Sequence, residues 1–180
     1  MQRRSFLQLI AALGGIVVFG GPSAFSTAQA GSDTAAPGTP GFPPIAKTKD
    51  EWRALLEPAR YRVLFEEETE RAGSSPLDKE KRDGSFVCAA CFLPLFDSTG
   101  KYDSGTVWPS FFQPLAPERI GTKTDYWLLV PRTEYHCARC GGHQGHVFDD
   151  GPAPTYKRYC NNGLALLFVP RDEKAPELRT

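Results

Sequence analysis

Cys88-Ala89-Ala90-Cys91 and Cys137-Ala138-Arg139-Cys140 are the two stretches on which the reading of this chain turns. A two-residue gap lets both sulfurs of a pair face one point, and two such knuckles supply the four thiolates of a tetrahedral zinc site. With every ligand drawn from protein, such a site is closed and structural. The segment between the knuckles is long enough to be a β insertion, and one Zn2+ joining its ends would offset loop-closure entropy. Two disulfides, a redox-active Cys-x-x-Cys and coincidence are the competing readings. Matched spacing in two copies favours zinc.

Outward from the quartet, the chain has 180 residues, 21 basic and 21 acidic side chains, 41% hydrophobic residues and five cysteines. This is material for one domain with a packed core. Electroneutrality argues against a nucleic-acid partner, because phosphate neutralisation needs a basic surplus. The hydrophobic content excludes wholesale disorder.

The start of the chain reads as an address. Arg3-Arg4-Ser5-Phe6-Leu7 opens an apolar run to Phe19, and Ala28-Gln29-Ala30 has the small-x-small pattern of a cleavage site. Residues 1–30 are expected to be a twin-arginine-like signal peptide that exports a folded protein to the periplasm or another extracytoplasmic space. An ordinary secretory signal and an uncleaved anchor are the alternatives. After cleavage no stable membrane association is expected, and a monomer is the expected state.

Residues 31–47 are rich in Gly, Pro, Ser, Thr and Ala and read as a flexible linker. The domain is expected over residues 48–170, with a tail over 171–180. Thr48-x-x-Glu51 has capping-box spacing ahead of Trp52, Leu55 and Leu56, which predicts a helix that Pro58 limits. Tyr61 to Glu70 suggests a second. From Phe86 onward the pattern changes to short apolar or β-branched runs between turn residues: Phe86-Val87, Tyr126 to Val130, and Leu164 to Val169. The domain is therefore expected to be mainly β with short N-terminal helices. Trp52, Tyr61, Phe65, Phe86, Phe96 and Trp127 read as core, whereas Phe111 and Phe112 fit either core or pocket wall.

The fifth cysteine, Cys160, alternates with Arg158, so both side chains would share one face of an extended strand. A nearby cation favours a thiolate, the nucleophilic form. Most isolated cysteines are inert, but His143-Gln144-Gly145-His146 and Asp149-Asp150 follow the second knuckle and bring proton-handling groups.

In these stretches the sequence resembles the B-type methionine sulfoxide reductases. The resemblance rests on Arg62-Val63-Leu64 with Thr69-Glu70, Cys88-x-x-Cys91 with Pro94-Leu95-Phe96, Tyr102 to Phe111, Cys137 to Pro152, and Arg158-Tyr159-Cys160 through Asn162. It implies two antiparallel β-sheets, zinc on the quartet, and Cys160 attacking the sulfoxide sulfur of methionine-R-sulfoxide in peptides or proteins. Carried over, Arg158 would hold the thiolate. His143, His146 and Asp150 would organise water or protonate the departing oxygen. Trp108, with Phe111 and Asn162, would hold the substrate. Cys160 would be left as a sulfenic acid.

Three positions depart from the family pattern. Thr106 stands where many members carry a resolving cysteine, so regeneration by an external thiol is expected, from a thioredoxin-like protein or a small thiol. Val107 replaces a usual glycine. Asn161 replaces a usual apolar residue and is expected to set a polar group beside the nucleophile. Two other functions remain open from sequence: a non-catalytic ligand-binding module on the same zinc scaffold, and a general thiol-disulfide oxidoreductase.

Overall fold

The structure, a computed structural model, describes residues 42–126 and 130–180. The signal peptide read over residues 1–30 lies outside the described residues. So do Trp127 and most of the segment read as linker. No helix among the described residues is long and apolar enough to cross a membrane.

Two helices open the domain. In α1 (Lys49–Leu55) Thr48 Oγ1 accepts from Glu51 N at 3.3 Å, and Glu51 Oε2 accepts from Thr48 N at 2.7 Å, closing the capping box. Helix α2 spans Pro58–Phe65 instead of the expected Tyr61 to Glu70. Pro58 occupies its first turn, where a missing N–H costs nothing. It ends early because Glu67 turns left-handed, with φ 57°, and Glu68 N bonds back to Arg62 O at 3.2 Å. Trp52 stacks on Phe65 at 5.1 Å and fixes the two helices together.

Nine strands follow among the described residues. β1 (Gly84–Cys88), β2 (Pro94–Asp97) and β9 (Leu166–Pro170) form a three-stranded antiparallel sheet in the order β2-β1-β9. The second sheet contains β3 (Lys101–Tyr102), β4 (Ser110–Phe111), β5 (Ile120–Asp125), β6 (Arg132–Cys137), β7 (His143–Phe148) and β8 (Arg158–Asn161), in the antiparallel order β3-β4-β8-β7-β6-β5. The expected fold class, mainly β with two antiparallel sheets and short N-terminal helices, is the one found.

Aromatic rings fill the core. Phe96 stacks on Phe111 at 4.3 Å, Phe86 meets Phe111 edge-on at 4.9 Å, and Tyr135 meets Tyr159 edge-on at 5.3 Å. Phe111 is thus a core residue, 0% exposed, and not a pocket wall as its neighbours had suggested. On a short strand inside the sheet its ring must point to one face, and that face carries Phe86 and Phe96. Of the apolar run Tyr126 to Val130, residues 127–129 lie outside the described residues. Tyr126 and Val130 are exposed beyond the ends of β5 and β6, which are built from more polar residues. An edge strand such as β5 needs little apolar content. Leu164 belongs to a short turn before β9.

Both flanks of the domain are engaged. Ile45 N donates to Arg139 O at 2.8 Å, Arg119 lies over the Phe42 ring, and Arg179 N donates to Cys91 O at 3.2 Å.

Candidate active site

The two knuckles are copies of one backbone turn. Cys88 N donates to Leu93 O and Phe92 N to Cys88 O, both at 2.8 Å; Cys137 N donates to Gly142 O and Gly141 N to Cys137 O, both at 2.9 Å. The fifth residue of each turn is left-handed, Phe92 at φ 65° and Gly141 at φ 72°. Phe92 tolerates this only because its surroundings over-determine it, including the Arg179 guanidinium 4.5 Å from its ring. Sulfurs of the two knuckles interleave, Cys88 with Cys140 and Cys91 with Cys137, each at 3.6 Å.

A disulfide would hold sulfurs about 2.05 Å apart, and all five cysteines are free. A tetrahedron of metal–sulfur bonds near 2.3 Å has edges of about 3.8 Å. The four sulfurs lie within 4.8 Å of one another, so the quartet could hold a metal ion. Burial pushes the Cys88 thiol well up, while hydrogen bonds from the other three thiols pull Cys91 down. Such a shared-proton cluster has the donor set and low dielectric that a soft dication satisfies. Gln144 Nε2 donates to Cys88 Sγ at 3.5 Å, supporting the quartet from outside.

Cys160 sits on β8 between β4 and β7, paired in register with Ser110 and His146. It is half-buried at a cavity of about 220 Å³ walled by Trp108, His146, Phe148, Arg158 and Asn162. Burial raises the thiol above its ordinary value, against the lowering effects of the Thr106 hydroxyl and Arg158. Arg158 is held in place by Asp150, whose two carboxylate oxygens accept from Nε and Nη2 at 2.8 Å each, and by Phe148, 4.3 Å below the guanidinium. That bidentate pair keeps Asp150 below the usual carboxylate range. Asp150 therefore anchors Arg158 and has no proton to give.

The rings of the two histidines of the β7 motif lie 5.6 Å apart and share one cavity, but only His146 also reaches that of Cys160. His146 walls the Cys160 cavity, its Nε2 2.8 Å from Asp125 Oδ2, which Arg132 also engages at 2.5 Å. Burial depresses His146, and Asp125 offsets part of that. His143 is fully buried with Nδ1 3.0 Å from Glu134 Oε1, and it opens onto a neighbouring cavity of about 530 Å³ rather than onto Cys160. Burial pushes Glu134 up, but His143 and Lys123 outweigh it and leave the carboxyl below its ordinary range. Both amide ends of Asn162 are occupied. Glu70 N donates to Oδ1 at 3.0 Å, and Nδ2 donates to Gln144 O at 3.1 Å, leaving one amide hydrogen without a protein partner among the described residues.

Residues 56–170 match the family model described as the SelR domain. The chain is 48% identical over 128 residues to a protein of Pseudomonas entomophila named peptide methionine sulfoxide reductase MsrB, covering 71% of this chain and 98% of that one. Similarly named proteins match from Methanosarcina barkeri (45% over 129 residues, 72% of this chain and 91% of that one) and Thiobacillus denitrificans (48% over 126 residues, 70% and 96%). This chain belongs to the SelR-domain, MsrB family. Neither the non-catalytic module nor the general thiol-disulfide oxidoreductase gains support from these relatives.

Within this SelR domain the departures have defined surroundings. Thr106 Oγ1 lies 3.9 Å from Cys160 Sγ, so a hydroxyl stands within side-chain reach of that thiol. Val107 takes φ 62°, a region that β-branched residues rarely enter. Asn161 does not set its side chain beside the Cys160 thiol. Strand alternation sends it to the opposite, core face, where its Oδ1 accepts from Tyr135 Oη at 2.6 Å and its Nδ2 donates to Asn162 O at 2.7 Å.

Sequence reasoning assigned no role to Asp125, Arg132, Glu134, Thr69 or Phe148, all of which meet the two cavities. Opposite charges at Asp125 and Arg132, flanking an apolar run in the sequence, were the available signal for a cross-strand pair, and they do pair in register.

Proposed function

We propose that the protein reduces methionine-R-sulfoxide in peptides or proteins to methionine through the Cys160 thiolate, and that an external thiol completes the cycle. It is a peptide-methionine (R)-S-oxide reductase, as its family membership requires. The observation that carries the mechanism is one half-buried thiol in an aromatic-walled cavity beside a fixed guanidinium, with every other cysteine committed to the quartet.

The thiolate attacks the sulfoxide sulfur while the oxygen takes up a proton. His146 is the group placed to donate or relay it, being the imidazole on the cavity wall. The hydroxyl then passes from the substrate sulfur to the Cys160 sulfur as the new sulfur–sulfur bond breaks, and methionine leaves. Arg158 stabilises the thiolate, and Trp108 offers an apolar face to the methyl group. The substrate sulfur gains two electrons and Cys160 loses two, ending as a sulfenic acid. One external thiol then condenses with it to a mixed disulfide and water, and a second displaces Cys160 as free thiol. A thioredoxin-like protein or a small thiol fits this role, because no second uncommitted cysteine exists in the chain.

We also read the quartet as holding one structural Zn2+ on Cys88, Cys91, Cys137 and Cys140, the metal whose thiolate chemistry and edge lengths match best. Arg3-Arg4-Ser5-Phe6-Leu7 and Ala28-Gln29-Ala30 support export by a twin-arginine route to the periplasm, where oxidised methionines of exported proteins would be the substrates.

The test is stereospecific turnover. A peptide carrying the R-sulfoxide should be consumed with dithiothreitol as reductant and the S epimer left untouched, with all turnover lost in Cys160→Ser. Equal use of both epimers, or a fully active variant, sinks the mechanism.

A further inference from the structure

The segment from Ser104 to Ser110 folds so that three hydroxyls form a chain ending on the nucleophile. Ser110 Oγ donates to Trp108 O at 3.2 Å, Ser104 Oγ lies 2.7 Å from Ser110 Oγ and 2.8 Å from Thr106 Oγ1, and Thr106 Oγ1 lies 3.9 Å from Cys160 Sγ. Each hydroxyl owns one proton, so the far end of the chain sets the direction of the whole. A carbonyl only accepts. Ser110 therefore spends its proton on Trp108 O and accepts from Ser104. Ser104, its single proton used, accepts from Thr106. The Thr106 proton is thus turned away from the sulfur, and the contact left for Cys160 is to donate its S–H to Thr106 Oγ1.

We propose that Thr106 is a catalytic residue, with Ser104 and Ser110 as its positioning residues, and that this chain keeps Cys160 a thiol at rest and reverses direction when the sulfur ionises. The proposal rests on the reading of Cys160 as the nucleophile. On ionisation the thiol proton passes to solvent in the cavity. Thr106 then donates to the thiolate, Ser104 to Thr106 and Ser110 to Ser104. The long Ser110 bond to Trp108 O is the one given up. Reversing the chain therefore costs that bond and turns the Thr106 bond to Ser104 around, so Ser104 and Ser110 hold the Thr106 proton back from the sulfur and oppose ionisation. A cysteine at position 106 could not form this chain in the same way, since a thiol is a weak donor and acceptor.

The other groups whose charge reaches Cys160 are Arg158 on β8, Asp150 after β7, Tyr102 on β3 and Tyr135 on β6, with His146 on β7 and Arg132 on β6 across the cavity. None of them belongs to the hydroxyl chain, so they form a constant background in the variants below.

The experiment is the pH profile of Cys160 alkylation by iodoacetamide in the metal-loaded full chain, followed on the Cys160 peptide by mass spectrometry. Thr106→Val removes the only hydroxyl donor to the sulfur among the described residues, so its midpoint should rise. About a tenfold loss of rate at a pH below both midpoints corresponds to a rise of one pKa unit. Thr106→Ser should restore the wild-type profile. Ser104→Ala should move the midpoint the other way, because the Thr106 proton loses its competing oxygen acceptor and turns to the sulfur. Shifts of opposite sign are the signature, since general loosening of the loop would move both variants alike. An unmoved Thr106→Val, or a Ser104→Ala midpoint that rises or stays put, overturns the proposal. The assay contains no sulfoxide, so a wild-type protein that fails to reduce sulfoxide yet shows opposite shifts refutes the proposed function and supports the hydroxyl chain.

Discussion

Replacing Val107 with glycine should stabilise this protein, against the usual rule that loop glycines cost stability. Val107 sits at φ 62° with 44% of its surface exposed. A non-glycine residue in a sparsely populated region costs of the order of 1–3 kcal/mol, and a β-branched one belongs near the top of that range. Two terms oppose the gain. Glycine adds roughly 0.5–1 kcal/mol of unfolded-state entropy. Deleting a side chain that is only about half buried forfeits roughly 0.7 kcal/mol, half the transfer energy of a fully buried valine at the low end of its range. The net expectation for Val107→Gly is about 1 kcal/mol of added stability. For a domain of this size that is a rise in Tm of about 4 °C. Urea unfolding of the metal-loaded protein checks it, with the midpoint moving up at constant slope. A midpoint that falls or stays unchanged would refute the assignment of strain. Sulfoxide turnover should be recorded alongside, because Val107 lies between the residue that touches Cys160 and the residue that walls its cavity, and relaxing the backbone there repositions both.

Four further outcomes are expected. Mass spectrometry after one turnover without reductant should show no intramolecular disulfide to Cys160 with metal retained, whereas Thr106→Cys, placed within side-chain reach of the nucleophile, should form one. Alkylation of Cys160 should still be accelerating at pH 9.0, the ordinary thiol value, because burial raises this thiol and the reactive thiolate appears only as pH climbs through the raised midpoint; a plateau by pH 8 would contradict that. Cys88→Ser should abolish stoichiometric zinc by elemental analysis and cooperative unfolding by calorimetry, since a structural zinc site contributes on the order of 10 kcal/mol to folding. Phe111→Ala, emptying the centre of an aromatic cluster, should cost about 3–5 kcal/mol in urea while leaving the Cys160 pH profile in place.

What was legible in the chain was chemistry with a local signature. The two knuckles, the Thr48 capping box and the alternation of Arg158 with Cys160 each depend on a few consecutive residues, and each appears as the spacing implies. What the sequence hid depends on which face of a strand meets which neighbour. Phe111 is consecutive with a motif full of pocket residues, yet its place in register with Tyr159 turns it into the core. Asn161 follows the nucleophile directly and is therefore on the other side of the sheet, where Tyr135 satisfies it. His143 and His146, three residues apart, would face opposite ways on a regular strand. The irregular pairing of β6 with β7 between Tyr135 and His136 lets both meet the larger cavity, with only His146 reaching the wall around Cys160 as well. Asp125, Arg132 and Glu134 are ordinary surface letters until β5 and β6 are laid beside β7.

Gln144 is a residue with no chemistry of its own, yet it touches both centres. Its side chain donates to Cys88 Sγ, and its backbone carbonyl accepts from both nitrogens of Asn162, two residues past the nucleophile. A tilt of this one peptide would move a ligand of the quartet and the floor of the cavity together. Losing the cysteine quartet would therefore also loosen the support under Asn162 on the wall of the Cys160 cavity.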